Sequence, residues 1–135
     1  MRPGPWTTSG GALAVLACLC LTALGCSRSD RPPLGNVAGT VTLDGKPLAE
    51  AIVVFKPDQP GRASQATTDD AGHYNLVYLG DIAGAAVGRH AVRIITANEQ
   101  NGGKERLPGR YNAATTLAAE VKSGANTLDF ALTSR

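Results

Sequence analysis

A chain of 135 residues has room for one domain of ordinary size and excludes a second of comparable size. Its 13 Lys and Arg stand against 11 Asp and Glu, too even a balance for a general nucleic-acid-binding surface. Aromatic residues make up 4% of the chain, so a stacking platform for bases or sugars would rest on very few rings.

The chain opens MRPGPWTTSGGALAVLACLCLTALGCSRSD. Arg2 is the one basic residue ahead of an apolar run over residues 11–24, and Gly25-Cys26 then gives way to polar Ser27, Arg28, Ser29 and Asp30. A positive start, a short apolar core and a small residue before the cut are the marks of an export signal. A run of roughly 14 residues is too short to cross a hydrocarbon core about 30 Å thick as a helix. This end resembles the signal of a bacterial lipoprotein, in which the cysteine becomes the first residue of the mature chain and carries lipid. The resemblance implies a signal over residues 1–25, lipid on Cys26, and attachment to the membrane in the cell envelope. Either the outer membrane or the periplasmic face of the inner membrane is open. Plain secretion with a nearby cut, and an uncut anchor, are the alternatives.

Removal of residues 1–25 leaves 110, with 12 Lys or Arg against 11 Asp or Glu. Cys18 and Cys20 depart with the signal, and lipid would consume the sulfur of Cys26. No intrachain disulfide is therefore expected, although an exported chain is allowed one. Residues 26–36, with Pro32-Pro33 and Gly35-Asn36, read as a short spacer, and residues 37–135 as the domain.

From Val37 the texture is that of strands. Val37, Gly39, Val41 and Leu43 alternate with Ala38, Thr40 and Thr42, and Asp44-Gly45 is a strong turn signal. Ala51-Ile52-Val53-Val54-Phe55 is a second strand, ended by Pro57 and Pro60-Gly61. Residues 63–68 supply a third strand. A fourth, over residues 73–78, has Tyr74, Leu76 and Tyr78 on one face. Residues 80–88 read as loop. A fifth strand, over residues 89–97, places His90, Val92, Ile94 and Thr96 on one face. Residues 98–115 form a long interval without regular structure, of a kind that is uncommon unless it has a role. Residues 117–121 and 127–132 complete the count. Seven short strands with no room for intervening helices predict an all-β fold, a seven-stranded antiparallel β-sandwich.

Two stretches resemble the carboxypeptidase regulatory-like domain. Val41-Thr42-Leu43-Asp44-Gly45-Lys46-Pro47-Leu48 followed by Ala51-Ile52-Val53-Val54-Phe55 is similar to its opening, with Glu50 where a glycine is usual. Thr67-Thr68-Asp69-Asp70-Ala71-Gly72-His73-Tyr74 is similar to its second hallmark, and Gly88-Arg89-His90 to a third element that often carries tyrosine at the position of His90. The resemblance implies a transthyretin-like, prealbumin-like sandwich, with Gly72 at positive φ and Tyr74 plugging one end of the core. The chain also looks like small envelope lipoproteins of planctomycete bacteria, which have a segment similar to residues 104–112. No biochemical activity comes with that resemblance.

The transthyretin-like fold includes a hydrolase of 5-hydroxyisourate, but the Tyr-Arg-Gly-Ser tail of that enzyme is not matched by Ala131-Leu132-Thr133-Ser134-Arg135. His73 and His90 are as well explained as strand residues as by catalysis. No Gly-x-Ser-x-Gly elbow occurs, and no enzyme activity or cofactor is expected. Asp69 and Asp70 are candidate metal ligands but serve equally to shape a turn, and calcium would want six or more oxygens. A Lys56–Asn126 isopeptide bond is the remaining covalent possibility. The candidate binding residues are Lys104, Arg106, Arg110, Tyr111 and Asn112. There arginine forks suit carboxylates, while tyrosine and asparagine orient a carbonyl or a sugar hydroxyl. Alternatively Leu107 and Tyr111 pin the segment against the sandwich and its charges stay in solvent. The first expectation is a non-enzymatic lipid-anchored sandwich that contacts an envelope protein or polysaccharide. A small-ligand or metal carrier and a hydrolase with a dispersed site are the others.

Overall fold

The computed structural model describes residues 31–135; the expected signal and Cys26 lie outside the described residues. The first strand is the longest of the described segments. β1 (Leu34–Leu43) is ten residues long and turns back through Asp44-Gly45 into β2 (Lys46–Pro47), with Leu43 opposite Lys46. β3 (Ile52–Pro57) and β4 (Ser64–Thr67) form a hairpin around the proline-rich loop at residues 58–63. β5 (His73–Asn75) and β6 (Val77–Leu79) come after the acidic turn, then the two-residue segments β7 (Ile82–Ala83) and β8 (Ala85–Ala86). β9 (Gly88–Ile95) is the second long strand; two 3-10 turns, Glu99–Asn101 and Gly109–Tyr111, interrupt the crossover. β10 (Ala118–Val121), β11 (Gly124–Thr127) and β12 (Phe130–Leu132) close the chain.

The strands make an all-β sandwich of two sheets. The second runs β10-β9-β3-β4-β6-β7 and is antiparallel throughout. In the first, β1 pairs antiparallel with β2, β5 and β8. It pairs parallel with β11 and β12. The expected seven antiparallel strands are thus corrected to twelve short segments among the described residues, in one antiparallel and one mixed sheet. The parallel pairing arises from β10, which ends beside Gly88 at the edge of the second sheet. A turn at residues 122–126 then carries the chain across to Gly35 and sends it back along β1. Asn126 closes that turn by accepting from the Lys122 amide at 2.9 Å and donating to the carbonyls of Lys122 at 2.8 Å and Asn36 at 2.9 Å. Its amide is thereby occupied, on the first sheet, while Lys56 lies exposed on β3 of the second.

The inward phases read from sequence hold where the strands are long. His90, Val92, Ile94 and Thr96 are all buried, as are Val37 and Val41 on β1 and Val53 and Phe55 on β3. Each fully buried aliphatic or phenyl side chain contributes about 1.5–3 kcal/mol relative to exposure. Phe130 links the sheets, edge-on to Phe55 at 6.1 Å and tilted against Tyr74 at 6.3 Å. The single fourth strand expected over residues 73–78 divides at Leu76 instead. β5 joins β1 while β6 joins β4, and Leu76 donates to Val37 and accepts from Gly84. Tyr78 is consequently half-buried rather than part of the core face.

The turn before β5 has the geometry its residues imply. Gly72 sits at φ +77°, and a Cβ there would lie 2.5 Å from the Val41 carbonyl. Thr68, buried, donates to Leu48 at 2.6 Å and accepts from Ala51 at 2.9 Å, bracketing Glu50 at φ 59°. This left-handed conformation favours glycine, and the Thr68 bridge holds glutamate in it.

Between β11 and β12 the ladder is maintained by side chains. Leu128 donates its amide to Ala38 at 2.8 Å, but its carbonyl is taken by the Tyr74 hydroxyl at 2.5 Å. The Thr40 amide is received at 2.8 Å by the carboxylate of Asp129. Burial first, and then the charge of Asp129, push the Tyr74 phenol well above its ordinary pKa, so it stays a neutral donor. This close approach requires Gly39, where a Cβ would come within 1.9 Å of the Leu128 oxygen. Gly39→Ala should therefore lower the unfolding free energy by about 3 kcal/mol, measured by urea titration. A loss below about 1 kcal/mol would show that β1 and the C-terminal segment separate without cost.

Candidate functional site

The crossover of residues 98–115 follows β9 by way of Thr96, which is buried one residue past the end of the strand. The hydroxyl and amide of Thr96 both donate to the carboxylate of Glu105, the amide at 3.0 and 3.1 Å. Glu105 also accepts from Leu107 at 3.1 Å and Ala97 at 3.4 Å, and the Thr96 hydroxyl accepts from the Arg106 amide at 2.7 Å. One carboxylate thus satisfies three backbone donors and a hydroxyl. Partial burial raises the pKa of Glu105, but the Thr96, Leu107 and Ala97 hydrogen bonds outweigh it and hold the carboxyl below the usual carboxylate range.

A second clamp precedes the first. Asn98 and Asn101 cap each other's amides at 2.9 and 3.0 Å, and the Asn101 side chain donates to the carbonyls of Thr96 and Lys104. Its oxygen accepts from the Lys104 amide at 3.1 Å. The Lys104 and Arg106 backbones are fixed in this way while both side chains stay exposed. They flank the engaged Glu105.

The other three candidate residues do different work. Tyr111 is buried, and its hydroxyl accepts from the Thr133 amide at 3.1 Å. Arg110 stacks on the Tyr111 ring at 4.7 Å and donates to the Thr133 carbonyl, the Thr133 hydroxyl at 2.8 Å and the Arg135 backbone oxygen. Asn112 is buried as well; its side chain donates to Pro108 at 3.3 Å and accepts from Ala113 at 2.7 Å, while Arg93 donates to its carbonyl at 3.2 Å. The pair Arg110 and Tyr111 therefore grips the protein's own residues 133–135. Asp44 holds the same segment from the other side, accepting from the Ser134 amide at 3.0 Å and hydroxyl at 2.7 Å. Lys104 and Arg106 stay exposed on either side of Glu105 in the chain, while Arg110, Tyr111 and Asn112 belong to the packing of the crossover and the C-terminal segment.

The remaining candidates lie elsewhere. Asp69 accepts the amides of Ala71 and His73 at 2.9 Å each, the hydrogen bonding that shapes the turn. Asp70 is exposed, and among the described residues no three His, Cys, Asp or Glu side chains gather where a metal could be held. His73 is exposed on β5, 4.0 Å from Asp69. His90 lies in the core, donating to the Ala86 carbonyl at 2.7 Å and packed 5.6 Å from Phe55. The two histidines thus do not share a site. Among the described residues no helix is long and apolar enough to cross a membrane.

If the carboxylate of Glu105 is what holds the crossover, Glu105→Gln should lower the thermal midpoint at pH 7. Because the folded pKa is depressed, that stabilisation is complete above the ordinary value of 4.5 and is lost as pH falls through the lower folded value. The midpoints of the two chains should converge as pH falls below that folded value. A gap that stays constant over the titration would assign the clamp to the other contacts.

No protein-family model matches the chain, and no curated protein matches it. Among solved structures it is similar to a DUF3823 family protein from Parabacteroides merdae, at 13% identity and a TM-score of 0.46. The similarity covers 75% of this chain and 46% of that one, so the chain spans about half the length of its structural neighbour.

Proposed function

We propose that this chain is a lipid-anchored, non-enzymatic envelope protein of the carboxypeptidase regulatory-like, transthyretin-like kind. Its sandwich presents the crossover of residues 98–115 to another envelope protein or a surface polymer. The observation that carries this reading is the crossover itself. Two clamps, Thr96–Glu105 and Asn98–Asn101, order its backbone and leave the cations of Lys104 and Arg106 exposed. A loop ordered before binding loses less conformational entropy on association, so two cations carried on an ordered backbone offer more to an acidic group of a partner than two carried on a mobile loop. The anchor is supported by the apolar run that ends at Gly25-Cys26.

Crosslinking intact cells that carry tagged full-length protein tests this reading. One dominant partner should be captured by the unaltered chain. Capture should fall at least tenfold with Cys26→Ser, and similarly with Lys104→Ala and Arg106→Ala combined. A folded, acylated protein that captures nothing above background, or a capture indifferent to both cations, would contradict the reading.

A further inference from the structure

The two ends of the sandwich differ in charge and in exposed apolar surface. The described chain begins at Arg31, and Leu34 and Gly35 lie opposite Ala86 and Ala85. The same end holds the loop at residues 58–63, the Gly80-Asp81 turn and the turn at residues 122–126. Its loops carry Arg31, Arg62 and Lys122 against Asp58 and Asp81; at the strand ends Arg89 of β9 lies opposite Glu120 of β10, and Lys56 is two positions further up, opposite Ala91. The opposite end carries Lys46, Lys104, Arg106, Arg110 and Arg135 against six carboxylates, Asp44, Glu50, Asp69, Asp70, Glu99 and Glu105. One end is therefore net positive and the other net negative.

Exposed apolar surface divides in the same way. Among the described residues the exposed large hydrophobic side chains are Val77, Leu79 and Val87. Leu79 and Val87 lie at the basic end, and Val77 is two positions up β6. Beside Val87 is a notch of about 110 Å³, walled by Pro32, Pro57 and Pro60 and rimmed by Arg62 and Arg89. Arg89 is partly engaged by Asp58 at 3.7 Å, while its side chain remains 72% exposed.

The length of chain ahead of this end identifies what faces it. Four residues separate Cys26 from Arg31, so the five steps between them span at most roughly 18 Å when fully extended. Arg28 and Asp30 in that span cancel. A lipid on Cys26 keeps the basic end close to the bilayer surface, where charges are felt over a Debye length of about 8 Å. From these observations we infer that the end bearing Arg62, Arg89, Lys122, Leu79 and Val87 rests on an anionic lipid surface, which turns the acidic end and its crossover outward. This rests on the proposed lipid anchor. Cations draw the end to anionic headgroups, and the exposed apolar side chains insert at the interface.

The test uses full-length protein isolated from membranes, its acylation read by mass spectrometry, in vesicles of phosphatidylcholine with or without phosphatidylglycerol. Fluorophores are placed at Ser123→Cys on the basic end or Asp70→Cys on the other, and quenched from the headgroups. Quenching at position 123 should exceed that at position 70 and increase with phosphatidylglycerol. The preference should weaken roughly fivefold for each of Arg62→Gln and Lys122→Gln. It should also weaken in 0.5 M salt with the unaltered chain, which guards against a folding defect in the variants. An acylated chain quenched equally at both positions, or indifferently to phosphatidylglycerol, overturns the inference and leaves the anchor standing. A chain without acyl mass overturns the anchor and the inference together.

Discussion

The close approach of the C-terminal segment to β1 is the constraint on which the rest of the fold depends. β1 is the common partner of five short strands, and none of these exceeds four residues. Strands so short have little independent stability, so their order comes from the template they share. On one side the template is met by antiparallel segments that arrive from turns. On the other it is met by a parallel segment that must reach past Gly39 for Leu128 to meet the Tyr74 hydroxyl. Because Phe130 lies two residues further on, this backbone approach also sets the aromatic contacts that join the two sheets.

The consequence extends to the crossover. Residues 133–135 continue from β12, and Arg110, Tyr111 and Asp44 hold them. The crossover is thus tied at two places: at Glu105 to Thr96, just past β9, and at Arg110 and Tyr111 to residues 133–135. A long connection with little regular structure becomes an ordered surface because its polar groups find partners within the fold. Lys104 and Arg106 remain outside these ties, and for that reason they are the residues the functional reading relies on.

Much of this was legible in the sequence where period and turn chemistry agree. The phase of His90, Val92, Ile94 and Thr96 was clear because β9 is long enough for alternation to repeat. Asp44-Gly45 and Gly72 announced their turns through backbone preference alone. The break at Leu76 was hidden because Tyr74, Leu76 and Tyr78 keep one phase across a change of sheet, and only the tertiary partners Val37 and Gly84 decide it. The direction of β11 and β12 was equally hidden, since periodicity carries no information about parallel or antiparallel pairing. In the crossover, Thr96 was a signal that could have been taken further. An inward hydroxyl must find a partner when buried, but the sequence offers both Glu99 and Glu105 and does not choose between them. Arg110 and Tyr111 have the chemistry of a ligand site, and no pattern in the sequence shows that the chain's own residues 133–135 occupy it.

The central claim is that the crossover is an ordered part of the domain rather than a mobile loop, and amide hydrogen exchange measures this directly. The Arg106 and Leu107 amides, donated to the Thr96 hydroxyl and the Glu105 carboxylate, should be protected alongside Leu128, with opening free energies well above those of fraying termini. Exchange of Arg106 and Leu107 at the rate of an unstructured chain, while β9 and Leu128 remain protected, would contradict the account.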